Sequence, residues 1–175
     1  MMRQEATRER VIQLMEALGR LAQGPGRIYI VGGSSMVLLD TGRESTIDID
    51  LKLDPEPLGI FQAIAKLKIS MDLNIELAAP DQFIPALPGW QERSRLIKTV
   101  GQVEFRHYDF YGQALAKIER GHDRDLKDVT SLAENQLIKK ARLKELFAAI
   151  EEDLIRYPSI NILQFTSNVI NFCEE

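Results

Sequence analysis

Residues 28–53 read IYIVGGSSMVLLDTGRESTIDIDLKL, and this stretch decides the fold. Its start, with Arg27 before it, is a short β-branched run up to Val31 that predicts a buried strand. Gly32-Gly33-Ser34-Ser35 breaks the run, and 36–39 begins or completes a short helix. From 46 to 53 the pattern alternates. Ile47, Ile49, Leu51 and Leu53 fall on one side, and Thr46, Asp48, Asp50 and Lys52 on the other, the period of a half-buried strand.

Working outward, Val11, Leu14, Met15, Leu18 and Leu21 keep helical spacing over about 4–22, and Gly24-Pro25-Gly26 stops that helix. Pro55 and Pro57 open a helix containing Phe61, Ile64, Ala65 and Leu67, and 69–77 is read as another strand. Prolines at 80, 85 and 88 make 79–90 an irregular connection. Residues 95–100 and 102–108 flank Gly101 as a hairpin, and helices are expected over 110–120, 123–134, 136–156 and 159–172. A mixed sheet followed by helices is an α+β arrangement. The expected organisation is an N-terminal helix over 1–25 packing on the core, a core over 26–134, and C-terminal helices over 135–175 within the same domain.

The 175 residues suffice for one well-buried core, and 45% hydrophobic with 27% charged residues is ordinary for a globular chain. A net charge of -4 argues against coating nucleic acid by bulk charge. One cysteine, Cys173, excludes an internal disulfide and makes a cysteine-based zinc site a poor fit. No apolar run approaches the roughly 18–20 residues of a membrane span, and the start lacks a secretory pattern, so a cytoplasmic setting without membrane contact is expected. P-loop, dinucleotide-binding and nucleophile-elbow motifs are all missing, and two distant histidines, His107 and His122, suit neither a triad nor a zinc hydrolase.

Asp48 and Asp50 are two apart on a strand, so both carboxylates leave the same face. Two like charges held that close favour a cation, and hard oxygens with open coordination positions suit Mg²⁺ bound together with phosphates, Mn²⁺ being the alternative. A solvated outward face explains a bare Asp-x-Asp equally well. The preceding Gly32, Gly33 and Ser34 let backbone N–H groups approach a phosphate at a helix N-terminus, although a tight turn with a serine cap would look the same. Strand, Gly-Gly-Ser, short helix and Asp-x-Asp strand together are more specific than either piece.

That combination resembles the nucleotidyltransferase superfamily, in which a Gly-Ser turn precedes a strand with paired aspartates. The resemblance implies that Gly33 and Ser34 hold the nucleotide's terminal phosphates and that Asp48 and Asp50 bind the metal. Here 13 residues separate Ser34 from Asp48, at the longer end of the family's spacing. Arg43 and Thr46 lead into the aspartates much as an arginine and a threonine do in a common variant, which implies nucleotide contacts for both. MDLNIELAAPDQFIP, residues 71–85, is similar to an Asp-aromatic-Leu-Asn segment of a little-studied bacterial branch, with the aromatic position taken by Met or Leu. YDFYGQALAKIERGHDRDLKDV, residues 108–129, resembles the third block of toxin-type members related to abortive-infection systems. Carried across, its Lys and Arg-Asp-x-x-Asp are Lys117, Arg124, Asp125 and Asp128. The likeness covers about 27–130.

Lys117 shares a helix face with Ala114 and Phe110, from which it can reach a triphosphate oxygen; Asp125 and Asp128 share another, one to support the metal or activate an acceptor hydroxyl and the other to orient Lys117. Local ion pairs such as Arg124–Asp128 on a surface helix are the plain alternative. A third carboxylate is sought at Asp72 or Glu76, which would share a strand face with Asn74. Arg93, Arg95, Lys98, Arg106 and His107 gather near the hairpin, either lining a groove for an anionic acceptor or standing as solvated charges on an edge. Leu143, Leu146, Phe147, Ile150 and Leu154 form a long apolar stripe, read as core or as a partner-docking surface.

The expected activity is transfer of a nucleoside monophosphate from an NTP such as ATP to tRNA, a protein or a small molecule, releasing pyrophosphate. The alternative is a catalytically weak or inactive binding or antitoxin module. The resemblance to toxin-type members implies tRNA or a cognate protein partner in a toxin–antitoxin pair, and the likeness to antibiotic-modifying members a small-molecule acceptor.

Overall fold

The computed structural model describes residues 3–175. They divide into two compact units: the described residues up to Ala79 with Ser94–Tyr108, and Pro80–Arg93 with Asp109–Glu175. The chain leaves the first unit after Ala79, returns to it at Ser94, and from Asp109 onward belongs to the second. Among the described residues, no helix is long and apolar enough to cross a membrane.

The first unit contains β1 (Ala6–Thr7), α1 (Arg8–Leu21), β2 (Gly26–Val31), α2 (Gly32–Leu38), β3 (Ser45–Thr46), β4 (Asp48–Leu53), α3 (Ile60–Ser70) and β5 (Asn74–Leu77). Two further strands complete it: with α4 (Trp90–Arg93) counted in the second unit, β6 is Leu96–Val100 and β7 is Val103–His107. Five strands form a mixed sheet in the order β5-β4-β2-β7-β6. The β2–β4 and β6–β7 pairs are antiparallel, whereas β2–β7 and β4–β5 are parallel. Val11, Leu14, Met15 and Leu18 of α1 pack with Ile60, Ala63, Ile64 and Leu67 of α3 over Ile28, Ile30, Ile49, Leu51 and Phe105 of the sheet. Strand alternation and helical spacing therefore aim at one apolar layer.

The 46–53 strand differs from its expected form. Ile47 is 54% exposed, while Thr46 is only 6% exposed, the reverse of uninterrupted alternation. The reason is that Ser45 and Thr46 pair with Thr7 and Ala6 in a separate two-stranded sheet, so the chain bends at Ile47 before β4 begins. The Thr46 hydroxyl donates across this bend to the Asp48 carbonyl, 3.1 Å away. Asp72 differs too. It has φ +53 in the turn after α3, so only Asn74 and Glu76 share the face of β5.

The second unit holds a 3-10 turn (Pro80–Gln82), α4, α5 (Phe110–Arg120), α6 (Asp123–Glu134), α7 (Lys140–Ile150), a 3-10 stretch (Glu151–Arg156) and α8 (Ile162–Glu174). The α5 helix packs against α6, α7 and α8. The 143–154 stripe is buried, and Phe147 meets Phe165 of α8 edge-on at 5.0 Å between ring centres. That stripe is core of this unit.

Candidate active site

The first unit gathers its chemistry-bearing residues at one end of β2 and β4. Antiparallel register puts Asp50 directly opposite Val31, the last residue before the glycine turn, with Asp48 two residues further out. The topology alone therefore brings the paired aspartates to Gly32 and Gly33. Gly32 sits at φ +63, and a Cβ built on it would lie 3.2 Å from Asp50 Oδ2. Only glycine accepts that backbone cheaply and lets the carboxylate come so near. At Gly33 a Cβ would strike Thr46 Oγ1 and stand 2.6 Å from an Arg43 guanidinium nitrogen. Gly32, Gly33, Arg43, Thr46 and Asp50 thus converge, and Arg43 Nε also donates to the Ser45 carbonyl at 3.4 Å.

Ser34 lies in the same turn. The Ser34 side chain is buried and its hydroxyl donates to the Val31 carbonyl at 2.9 Å. That bond engages its proton within the chain, and no side chain caps the start of α2. α2 begins at Gly32 itself, four residues earlier than the expected 36–39 segment, so the glycines form its first turn.

On the other flank, β5 runs parallel to β4 with Asp48 beside Asn74 and Asp50 beside Glu76. The Asn74 amide donates to Asp48 Oδ1 and, at 3.1 Å, to Glu76 Oε1. Glu76 therefore lies on the aspartates' side of the sheet, while Asp72 is in the preceding turn. Among the described residues, no group of three or more His, Cys, Asp or Glu side chains is set to hold a metal ion. Asp48 and Asp50 are partly exposed beside the glycine turn, and carboxylate oxygens are of the kind that hard divalent cations accept.

The second unit holds the other block. Lys117 is only 6% exposed, and its ammonium lies 2.9 Å from Asp128 Oδ2 and 3.6 Å from Asp125 Oδ1. Arg120 donates two hydrogen bonds to the same Asp125, at 2.8 and 2.6 Å. Burial alone would raise the Asp125 pKa. The Arg120 hydrogen bonds and charge, with help from Lys117 and His122, outweigh it and hold the carboxyl below its ordinary range. Arg124 is exposed, and the cation facing Asp128 is Lys117 across the helix pair. Lys117 thus faces both Asp125 and Asp128 within this unit.

Several groups near the hairpin are committed elsewhere. Arg93 clamps Asp109, the cap of α5, at 3.0 and 2.7 Å, Lys98 pairs with Glu16 at 3.0 Å, and Arg106 pairs with Glu104 at 3.3 Å. His107 is buried, and its Nδ1 lies 2.8 Å from Ser35 Oγ. Sequence reading missed this bond. Its signal was present, since His107 continues the inward positions of Val103 and Phe105 on an alternating strand.

A family described as nucleotidyltransferase of unknown function (DUF6036) matches residues 9–174. The chain belongs to this family. Neither a curated protein nor a solved structure matches the chain. The family match spans both units, so the glycine turn, the Asp-x-Asp strand and the Lys117 block all fall within it.

Proposed function

We propose that this nucleotidyltransferase-family protein moves a nucleoside monophosphate from an NTP to an acceptor hydroxyl, with the chemistry at Asp48 and Asp50. The observation that carries the reading is the convergence of Gly32, Gly33, Arg43, Thr46 and Asp50 in one unit. The acceptor oxygen would bond to the α-phosphorus as the bond to the bridging oxygen of pyrophosphate breaks, and the acceptor's proton would pass to a carboxylate or to water. Asp48 and Asp50 would hold Mg²⁺, or Mn²⁺ in its place, which would supply electrostatic stabilisation of the phosphate oxygens. The first-turn backbone of α2 would orient the terminal phosphates, with Arg43 neutralising their charge and Thr46 fixing the Arg43 loop. Glu76 is the third carboxylate of this proposal, because its register with Asp50 puts it beside the pair. Lys117 arrives with its charge balanced by Asp128 and Asp125. Its contribution in this reading is to lock α5 to α6, and a phosphate contact would require those pairs to open.

A second reading, a non-turnover binding or antitoxin module of a toxin–antitoxin pair, draws on that same saturation of Lys117. Incubation with labelled NTPs, Mg²⁺ and either tRNA, total protein or small-molecule extract separates the two. Label appearing on one acceptor, and lost with Asp48→Asn and Asp50→Asn, supports transfer. NTP binding without any labelled product supports the binding module. No NTP binding by the wild-type protein rejects the phosphate-site reading.

A further inference from the structure

The buried Ser35–His107 pair belongs to no step above, yet it is fastened to the glycine turn. Ser35 is the fourth residue of α2, in the helix turn that Gly32 and Gly33 begin. His107 ends β7, the strand parallel to β2, where it registers with Ile30. Its backbone N–H donates to the Arg95 carbonyl at 2.8 Å, fixing the main chain from which the ring projects. Both side chains are buried, Ser35 completely and His107 at 8% exposure. A side chain–side chain bond between α2 and a different strand thus pins the helix start from below, complementing the local Ser34–Val31 bond.

We propose that His107 is a positioning residue: through Ser35 it fixes the first turn of α2 so that the Gly32-Gly33 backbone N–H groups are held in place for an NTP's phosphates. The inference rests on the phosphate-binding reading of that turn. Burial, and then the charge of Arg95, lowers the His107 pKa to about 4, so the ring is neutral at ordinary pH. In the neutral ring Nδ1 and the Ser35 hydroxyl share one hydrogen bond, whose donor is set by the ring's tautomer. A seven-residue helix has little stability of its own, so its start depends on such tertiary ties. Preorganised donors also bind an anion without first being ordered by it.

The test uses the full chain as wild type, Ser35→Ala, His107→Leu and His107→Asn. Asparagine's amide brings both an acceptor oxygen and an N–H donor near the position of Nδ1, so it is the rescuing variant. Two quantities are read: amide hydrogen exchange across 32–38, and affinity for each of ATP, GTP, CTP and UTP with Mg²⁺. Thermal melts confirm that each variant is folded. The proposal expects faster exchange at the turn and about fivefold weaker nucleotide binding in Ser35→Ala and His107→Leu, the size of one net hydrogen bond. His107→Asn should recover most of both even where its melting temperature matches that of His107→Leu. Unchanged exchange in Ser35→Ala overturns the inference, as does His107→Asn falling as far as His107→Leu in affinity. Absence of nucleotide binding by the wild type rejects the phosphate-site reading instead, and exchange at 32–38 still decides whether the pair orders the turn.

Discussion

Two pairs of aspartates occupy this chain, and their surroundings differ in kind. Asp48 and Asp50 stand half-exposed at a strand end, with a neutral amide from Asn74 on Asp48 and a glycine backbone beside Asp50. Asp125 and Asp128 are buried on α6 and face Lys117 and Arg120. A buried carboxylate needs compensation within the protein, and the second pair has it. The first pair is partly exposed, which is the setting the proposed cation site needs. Both would look alike as acidic residues at motif spacing, so the neighbours decide which pair fits chemistry and which fits architecture.

The sharpest way to break the comparison is to remove Lys117. Lys117→Met leaves Asp128 buried without its closest cation and should destabilise the protein by about 3–5 kcal/mol in urea unfolding, the usual consequence of stripping one partner from a buried pair. Asp48→Asn keeps shape on a partly exposed strand and should change stability by less than about 1 kcal/mol. Similar losses for the two would mean that the pairs are not different after all.

Next comes Gly33→Ala. Its Cβ has no room beneath Arg43 and Thr46. Overpacking there should lower stability by about 1–3 kcal/mol and weaken NTP binding about tenfold, read by calorimetry. Gly42→Ala, at a position with nothing within 4 Å but with φ +96, separates backbone strain from crowding. It should leave NTP affinity close to wild type.

A pH dependence follows from the first unit's buried histidine. His107 has a folded pKa of about 4 against an ordinary 6.5, so the unfolded chain binds the extra proton between those values. Stability is therefore complete above about pH 6.5 and declines as pH falls toward 4, with a slope of up to ~1.4 kcal/mol per pH unit. His107→Asn should flatten that stretch of the profile. Asp125 titrates the other way round in cause but with the same sense. Its pKa is depressed, so its contribution is present above the ordinary carboxylate value of 3.8 and is lost as pH falls through the lower folded value. A flat wild-type profile between 6.5 and 4 would contradict the buried, neutral histidine.

Much of this was legible in the chain. The β2 run, the Asp-x-Asp strand, the hairpin about Gly101 and the helices after Asp109 all follow from periodicity with glycine and proline punctuation. What escaped depends on contacts distant in sequence. The bend at Ile47 arises because Ser45 and Thr46 pair with an N-terminal strand about forty residues away. Asp72 leaves the strand because the turn after α3 needs a left-handed residue, which aspartate tolerates better than most. Lys117 sits on the expected face, but nothing local shows that α6 meets that face with Asp128. Spacing, in short, locates a side chain on an element, and only packing supplies its partner.

The most direct test of the central claim is transfer of labelled nucleotide by Asp50→Asn and Lys117→Met, each assayed with Mg²⁺ and normalised to its folded fraction. The account predicts that Asp50→Asn remains folded and loses transfer at least about a hundredfold, the scale of a lost electrostatic stabiliser, while folded Lys117→Met keeps most of it. Full activity in Asp50→Asn, with loss confined to folded Lys117→Met, would contradict it.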